Sequence, residues 1–362
     1  MVTVADLKRL VEVNLNERAF LSLYLAGPSG LESVRSQLRR DWSVLAGDAE
    51  EAAYLSENRG LAEEILSQRP PSGPTALFVS APLHFVERFD LKAPVKNLAW
   101  VGRGPYLRPL ARLLDEFETY AVVIADNRRA VVHLVEAGAK QEIRSIRGDI
   151  KNRVKKGGWS QQRYERRRDK QLLRYGREVA TDLEQLDREE SFGRLILVGS
   201  SEAVRTIEGE LSPSLASRLV GKRSLDLGKG DGYVESEIQE IFVAAERAEE
   251  ADRWRRIQTA QLQGGQAAFG VEEVWPMAEQ GRVAEALITQ DVRLPGRRCP
   301  ACEHLSFGEP ESCTSCGTVG LLPVDALNEI AERLVATSAE VDFALGLEPL
   351  ADVGHVAARL RW

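Results

Sequence analysis

The sequence predicts an α/β protein of three domains. Short apolar runs with strand character alternate with longer stretches of helical periodicity along the chain. Clusters of glycine and proline separate these runs. A chain of 362 residues is also long enough for two or three domains that each bury a core. We place the domains at residues 1–104, 105–230 and 231–362.

The first domain is predicted to be a small α/β unit. A strand is expected at residues 20–25, where it ends at Gly27 and Pro28. A long helical pattern follows over residues 31–68 and stops at a proline-rich loop, 69–74. The other predicted strands of this domain are 75–80, 83–91 and the weaker 95–101.

The second domain is predicted to contain a mixed sheet with helices on its faces. Residues 120–125 are almost continuously apolar, as expected for a strand buried on both faces. A helical pattern over residues 163–188 places five apolar side chains on one side: Leu172, Leu173, Val179, Leu183 and Leu186. The other predicted elements are helices at 106–118 and 201–211 and strands at 130–136, 141–146, 194–199 and 219–227.

The third domain begins with a long helical pattern over residues 234–263, rich in alanine and glutamate. Gly264 and Gly265 follow it and would end the helix as a C-cap. Further helices are expected at 269–278 and 324–336, and further strands at 283–289, 341–343 and 355–360.

A basic segment interrupts this acidic chain. Between Lys151 and Arg177 there are eleven Lys or Arg and only two acids, whereas the whole chain has a net charge of −7. Cations neutralise phosphate, and a central glycine pair permits a close backbone approach. The alternative is a solvated face of a charged helix. We favour nucleic acid as the partner, with candidate RNA-binding residues Lys151, Arg153, Lys155, Lys156, Arg163, Arg166, Arg167 and Arg168.

All four cysteines lie in one module, residues 297–318, as two Cys-x2-Cys pairs ten residues apart. Each pair forms a knuckle that places two thiolates on one metal, and two pairs complete a tetrahedral site. Disulfides and free thiols are the alternatives, and disulfides are disfavoured in a chain without an export signal. We therefore predict a structural zinc ion, with no open position for catalysis, held by Cys299, Cys302, Cys313 and Cys316.

Composition and missing motifs narrow the function further. No apolar run approaches the roughly 20 residues that span a bilayer, and the amino terminus lacks a secretory pattern. We expect a cytoplasmic monomer without a membrane partner. There is no P-loop, no spare cysteine and no clustered histidine set, and a metal-dependent nuclease would need carboxylates that the strand ends do not supply. We therefore expect that any hydrolysis depends on positioning of the reacting groups and not on a conventional protein nucleophile.

The three-domain plan, the basic glycine loop and the cysteine knuckles together resemble the archaeo-eukaryotic class 1 release factors and their relative Pelota, in the divergent form found in bacteria. The resemblance is strongest from about residue 105 onward and weak before it. It implies an N-terminal α/β domain and an RNase H-like middle domain with a tip loop at 151–165. It also implies a Pelota-type C-terminal α/β domain with an inserted zinc ribbon.

In that family a Gly-Gly-Gln tip enters the peptidyl-transferase centre and promotes hydrolysis of peptidyl-tRNA by positioning and electrostatic stabilisation. Here Gly157 and Gly158 match the two glycines, but Trp159 stands where the family has glutamine, and Gln161 lies two residues later. Either Gln161 replaces the family glutamine in an extruded loop, or Trp159 stacks on RNA and the activity is lost. A literal Gly264-Gly265-Gln266 lacks basic neighbours and is interpreted as a turn.

The resemblance implies a ribosome-binding translation factor. The stop-codon-reading Asn-Ile-Lys-Ser motif of the family's first domain is absent, so we expect a codon-independent role. The leading prediction is peptidyl-tRNA hydrolysis in ribosome rescue or termination. The alternative is a non-catalytic hibernation factor that occupies the A site. The implied partners are the ribosome, with the 23S-type rRNA of its peptidyl-transferase centre, peptidyl-tRNA and a translational GTPase.

Overall fold

The computed structural model describes the backbone of residues 2–45, 49–116, 119–136, 139–147 and 159–362, and the side chains within 2–39, 49–114, 119–135 and 166–362. The described helices are α1 (Val4–Val11), α2 (Gly30–Leu45), α3 (Ala49–Gln68), α4 (Arg108–Glu116), α5 (Trp159–Glu190), α6 (Ser201–Glu210), α7 (Pro213–Ala216), α8 (Asp231–Leu262), α9 (Gly270–Glu279), α10 (Ala326–Ala336) and α11 (Glu348–Asp352).

The described strands are β1 (Phe20–Leu25), β2 (Thr75–Ser80), β3 (Phe85–Asp90), β4 (Leu98–Gly102), β5 (Tyr120–Ala125), β6 (Arg129–Glu136), β7 (Ala139–Arg147), β8 (Arg194–Gly199), β9 (Leu219–Ser224), β10 (Ala267–Phe269), β11 (Val283–Thr289), β12 (Pro295–Arg298), β13 (Leu305–Phe307), β14 (Leu322–Asp325), β15 (Glu340–Ala344) and β16 (Val356–Leu360). The mixed α/β fold predicted from the sequence is confirmed. Two compact units are formed, one of residues 1–116 with 250–362 and one of residues 117–249. The three-domain boundaries at 104 and 230 remain predictions.

The described residues of the larger unit form three sheets. An antiparallel sheet has the strand order β3-β2-β1-β4. A mixed sheet has the order β10-β16-β11-β15, in which only the β11–β15 pair is parallel. A three-stranded antiparallel ribbon, β13-β12-β14, carries the cysteine module. Leucines of β1 and β2 are buried against α2 and α3, because both helices present apolar residues to the same face of that sheet.

The smaller unit is built on a five-stranded mixed sheet with the order β7-β6-β5-β8-β9. The β5–β6 and β6–β7 pairs are antiparallel, whereas β5–β8 and β8–β9 are parallel. Side chains of β5 and β8 alternate between the two faces. Ala121, Val123 and Leu197 pack with α5 and α6, while Val122 and Ile196 pack with the first part of α8. Both faces are thus covered, which explains why residues 121–125 and 195–198 are apolar.

Three expectations about individual elements need correction. The single helix predicted over residues 31–68 is two helices, α2 and α3. Leu173 was assigned to the buried side of α5, but its side chain is 45% exposed, because the buried stripe runs through Tyr175 instead. The short helices α1, α7 and α11, strand β10 and the individual strands of the β12–β14 ribbon were not predicted, since none has a long enough periodic pattern to stand out.

Candidate functional site

Helix α5 begins at Trp159, directly after the glycine pair of the basic segment. Its 32 residues give a length of about 48 Å. Side chains at spacings of three and four, from Leu172 to Leu186, are buried against the sheet. Gly176 lies where α5 approaches α6: a Cβ atom there would be 2.8 Å from Cγ2 of Thr206. The helix is therefore fixed closely to the sheet from about its midpoint onward.

The predicted tip and RNA-binding residues lie at the beginning of this helix or just before it. Trp159, Gln161 and Arg163 belong to its first two turns, and only their backbone is described. Arg166 and Arg167 are exposed on the helix. The remaining predicted residues lie outside the described residues: Lys151, Arg153, Lys155, Lys156, Gly157 and Gly158.

Arg168 differs from its two neighbours because it is held by an acid. Both of its terminal nitrogens donate to the two carboxylate oxygens of Glu202, at the start of α6. The side chains are only 14% and 35% exposed. Asn127 Nδ2 donates to Oε2 of Glu202 (2.8 Å), and Ser200 Oγ donates to Oδ1 of Asn127 (3.1 Å). We call Arg168, Glu202, Asn127 and Ser200 the strand-end network.

The strand-end network lies where the parallel strands β5 and β8 end. Gly199 closes β8 with a φ of 136°, and a Cβ atom there would be 1.8 Å from the carbonyl oxygen of Ala125. Only glycine permits this approach. Ser200 then donates its N–H to the same carbonyl (2.9 Å), and its hydroxyl accepts from the N–H of Ala203 as the cap of α6. Carboxyl ends of adjacent parallel strands are a common location for functional groups.

Sequence reasoning missed the strand-end network, although a signal was present. Asn127 comes two residues after one buried strand, and Ser200 directly follows the next. Because neighbouring parallel strands end at the same edge, these polar residues were bound to lie near each other. The carboxylate of the network is neutralised by arginine, and its one hydroxyl, that of Ser200, already donates to Asn127 and accepts from Ala203, so the network serves as an anchor for α5. Burial, reinforced by the nearby Asp126 charge, raises the pKa of Tyr175 in the same helix.

The four cysteines converge on one point. Their sulfur atoms all lie within 4.8 Å of one another, and the pairs Cys299–Cys316 and Cys302–Cys313 are 3.5 and 3.6 Å apart. A tetrahedral metal with bonds of about 2.3 Å to sulfur requires sulfur separations of about 3.8 Å. The arrangement therefore fits a metal ion held by four thiolates. Within the described residues, no other group of three or more His, Cys, Asp or Glu side chains is arranged to hold a metal.

The two knuckles share one backbone geometry. In the first, the N–H of Glu303 donates to the carbonyl of Cys299 (3.0 Å), and in the second Gly317 donates to Cys313 (2.9 Å). Both Glu303 and Gly317 have positive φ, 59° and 78°. The side chain and N–H of Thr318 donate to Cys316 and lower the pKa of that thiol to about 6, whereas at Cys302 the N–H of His304 is outweighed by the neighbouring thiols and by burial, which raise the pKa to about 12. A lowered pKa favours the thiolate, the form that binds metals.

The literal Gly-Gly-Gln sequence is a helix-ending turn. Gly264 and Gly265 have φ values of 141° and 74° after the end of α8. The N–H of Gly265 donates to Gln261, and that of Gln266 donates to Ala260, which satisfies the last carbonyls of the helix. Gln266 then leads into β10. The predicted C-cap is confirmed.

Within the described residues, no helix is both long and apolar enough to cross a membrane. Residues 105–260 match the family model described as bacterial archaeo-eukaryotic release factor family 10. Peptide chain release factor subunit 1 of Methanococcoides burtonii is 25% identical over 390 residues, covering 94% of this chain and 92% of that protein. The corresponding protein of Methanopyrus kandleri is 26% identical over 209 residues, and the match spans 55% of this chain but only 50% of that relative.

Three solved structures align with 80% or more of the chain, at TM-scores below 0.5. The archaeal translation termination factor aRF1 is 15% identical, with 100% of this chain and 99% of that chain covered and a TM-score of 0.28. Pelota of Archaeoglobus fulgidus is 14% identical, with 99% and 92% covered and a TM-score of 0.36. An archaeal Pelota from a model of ribosome-bound Pelota and ABCE1 is 14% identical, with 80% and 77% covered and a TM-score of 0.42.

Proposed function

We propose that the chain, whose residues 105–260 match a bacterial archaeo-eukaryotic release factor family and which is similar along 94% of its length to an archaeal peptide chain release factor subunit 1, binds the ribosomal A site and brings residues 151–165 to the peptidyl-transferase centre. There it promotes codon-independent hydrolysis of peptidyl-tRNA in ribosome rescue or termination. One observation carries the proposal: the matched region contains both the glycine pair and the helix that follows it. A ribosomal role also implies action in the cytoplasm.

The geometry of α5 supports a tip that works by position. The helix begins at the residue after Gly158. The strand-end network and the buried stripe fix it to the sheet between Arg168 and Leu186. A rigid helix of this length would hold the glycine pair at a fixed distance and direction from the sheet. Arg166 and Arg167 are exposed on α5, eight and nine residues after Gly158 in the sequence, and guanidinium groups suit phosphate contacts. In this role the protein supplies orientation and backbone donors, while water is the nucleophile.

The test is peptide release from ribosomes that carry labelled peptidyl-tRNA and have an empty A site. We expect release by the full chain and its loss in Gln161→Ala, because Gln161 would hold the attacking water. Gln185→Ala is the matched control, since Gln185 is an exposed glutamine on the same helix. If peptide release persists in Gln161→Ala, Gln161 has no catalytic role. If neither the full chain nor Gln161→Ala releases peptide, the proposed hydrolysis is wrong.

A hibernation role is the second candidate, and Trp159 is the observation that favours it. This position is the first residue of α5 and carries an indole instead of an amide side chain. An aromatic ring there would stack on exposed bases and occupy the centre without positioning water. Stable A-site occupancy without release, weakened by Trp159→Ala but unaffected by Gln161→Ala, is the result that this role predicts.

We also propose that the cysteine site holds a structural zinc ion. Its four thiolates fill a tetrahedral shell, so the ion would stabilise the β12–β14 ribbon and take no part in hydrolysis. Metal analysis of the purified chain should return one zinc per chain, and Cys313→Ser should lower that content. The unit that carries the ribbon is further proposed to contact a translational GTPase, which copurification with and without Cys313→Ser would test.

A further inference from the structure

The first cysteine knuckle contacts a segment that lies 200 positions earlier in the chain. We call residues 103–108, which follow β4, the docking segment. Arg103 in this segment has a side chain only 9% exposed, and its Nη2 donates to Oε1 of Glu303 (3.1 Å). Its Nε donates to the carbonyl of Leu15 (2.7 Å), and the N–H of Leu15 donates to the carbonyl of Arg103 (2.9 Å). Arg103 thus joins the connection between α1 and β1 to the knuckle.

The orientation of Glu303 depends on the knuckle that contains it. Glu303 directly follows Cys302, has a φ of 59°, and donates its N–H to the carbonyl of Cys299 (3.0 Å). A positive φ is uncommon for a residue other than glycine and persists only where the surrounding structure enforces it. A metal bound by Cys299 and Cys302 would enforce it, because both ends of the turn would be fixed to one ion. The side chain of Glu303 is 58% exposed, so its ion pair with Arg103 is weak unless the turn already holds the carboxylate in place.

The ribbon also holds the docking segment at its other end, where β14 leads into α10. Asp325, the last residue of β14, is 3% exposed, and its Oδ2 accepts from the hydroxyl of Tyr106 (2.7 Å) and from Nη1 of Arg108 (2.9 Å). Three residues later, Oδ1 of Asn328 accepts from the backbone N–H groups of Leu107 and Arg108 (both 3.1 Å). Strand β14 pairs with β12, which leads directly into the first knuckle, so the cysteine site lies next to the pairing that positions Asp325.

The cysteine module has almost no apolar core of its own. All of residues 297–318 are described, and only four of them are buried: Cys299, Leu305, Ser306 and Cys313. The three strands of the ribbon have four, three and four residues, and a sheet this small needs an apolar face for stability. We therefore expect the structure of the module to depend on the ion, as it does in small metal-binding domains. The contacts of the module with the docking segment should then depend on the ion as well.

We propose that metal binding at the cysteine site controls how firmly the docking segment is held on the C-terminal part of the larger unit. With the ion bound, the first knuckle holds Glu303 against Arg103, and β14 holds Asp325 against Tyr106 and Arg108. Without the ion these contacts weaken and the segment opens more often, while α1 and α4 still pack on α10. The inference rests on the proposed metal site and goes beyond it, because it extends the effect of the ion from the ribbon to the first part of the chain.

The test is hydrogen exchange of the full chain with zinc bound and after removal of zinc by EDTA. The amide groups of Leu107 and Arg108 report on docking directly, because they donate to Asn328 across the contact. Their exchange should become about tenfold faster on zinc removal, the effect expected for the loss of one hydrogen bond to a charged group. Peptides that cover β2 and β3 should not change, since those strands pair with each other and with β1. Cys313→Ser gives the same comparison if EDTA does not extract the ion.

Glu303→Ala tests the contact without removing a metal ligand. With zinc bound, this variant should exchange at Leu107 and Arg108 about two- to fivefold faster than the unchanged chain, since a partly exposed ion pair is lost. EDTA should then accelerate exchange by a smaller factor than in the unchanged chain. Glu309→Ala is the matched control, because Glu309 is also an exposed glutamate of the module that pairs with an arginine, but its partner Arg297 lies in the ribbon itself (3.4 Å). This control should exchange as the unchanged chain does.

Zinc content, measured on the same samples, separates this inference from the metal site on which it rests. If the purified chain binds no zinc, both are overturned. If zinc binds but its removal leaves exchange at Leu107 and Arg108 unchanged, the docking role is overturned and a structural ion of the ribbon remains. Equal acceleration in β2 and β3 also overturns the docking role, because the ion would then stabilise the whole unit, and so does a Glu303→Ala variant that behaves like Glu309→Ala. Peptide release by the unchanged chain reports separately on the tip.

Discussion

Arg168 and its neighbours Arg166 and Arg167 should behave differently when they are replaced, although the sequence presents them as one basic run. Arg168 is engaged by both oxygens of Glu202, whereas the other two are exposed. Exposed ion pairs contribute about 0–1 kcal/mol, and breaking a fully buried pair costs about 3–5 kcal/mol. With side chains 14% and 35% exposed, this bidentate pair lies between these limits, at about 1–2 kcal/mol of coupling.

A double-mutant cycle of Arg168→Met and Glu202→Gln measures that coupling. Because the chain has two compact units, the free energy of opening is best read locally, from hydrogen exchange in peptides that cover β5 and β8. Each single change should lower the protection of these strands, and the double change should cost less than the sum of the two. A coupling energy below about 0.3 kcal/mol would contradict the role of the strand-end network as the anchor of α5.

The salt dependence of ribosome binding gives the complementary result. Replacing Arg166 and Arg167 with alanine should reduce the slope of log K against log salt by about 1.4–1.8, since each lost phosphate contact removes about 0.7–0.9. Arg168→Met should leave the slope nearly unchanged. An equal reduction by Arg168→Met would show that its pairing with Glu202 is not maintained, which refutes the assignment of the three arginines to two roles.

Three further outcomes are expected. In urea unfolding, Gly199→Ala should destabilise the smaller unit by about 3 kcal/mol or more, because its Cβ would overlap the carbonyl of Ala125 at positive φ. The control Gly209→Ala has open space around it and should be neutral or stabilising by up to about 1 kcal/mol. Zinc chelation should increase hydrogen exchange in the β12–β14 ribbon and leave β5 and β8 protected; equal loss in both would contradict a local structural ion. Burial opposes ionisation of Glu285, but Arg256 and Arg359 donate to it and lower its pKa to about 2, so its stabilisation is complete above pH 4.5 and is lost as the pH falls towards 2. Stability curves of wild type and Glu285→Gln should therefore converge over that interval, and parallel curves would show that Glu285 does not contribute this pH dependence.

The strands of the smaller unit were predictable because their chemistry is local. Residues 120–125 and 195–198 are almost continuously apolar, and the structure gives strands Tyr120–Ala125 and Arg194–Gly199. The cysteine site was predictable for the same reason, since the spacing of the knuckles alone fixes four sulfur atoms around one point. In both cases the residues that determine the structure lie within a short stretch of the chain.

Features that depend on distant partners were not predictable. The role of Arg168 depends on Glu202, which lies 34 positions away and becomes a neighbour only when β5 and β8 pair in parallel. The buried ion pair between Arg108 and Asp325 likewise joins segments that the sequence assigned to different domains. Neither pair leaves a periodic pattern, because long-range contacts are set by sheet topology instead of residue spacing.

A cryo-electron microscopy map of the full chain bound to ribosomes with peptidyl-tRNA in the P site tests the central claim most directly. We expect the smaller unit in the A site, Gly157 and Gly158 beside the terminal adenosine of the peptidyl-tRNA, and Arg166 and Arg167 against rRNA phosphates. A complex in which residues 151–165 lie away from the peptidyl-transferase centre, with the chain attached elsewhere on the ribosome, would contradict it.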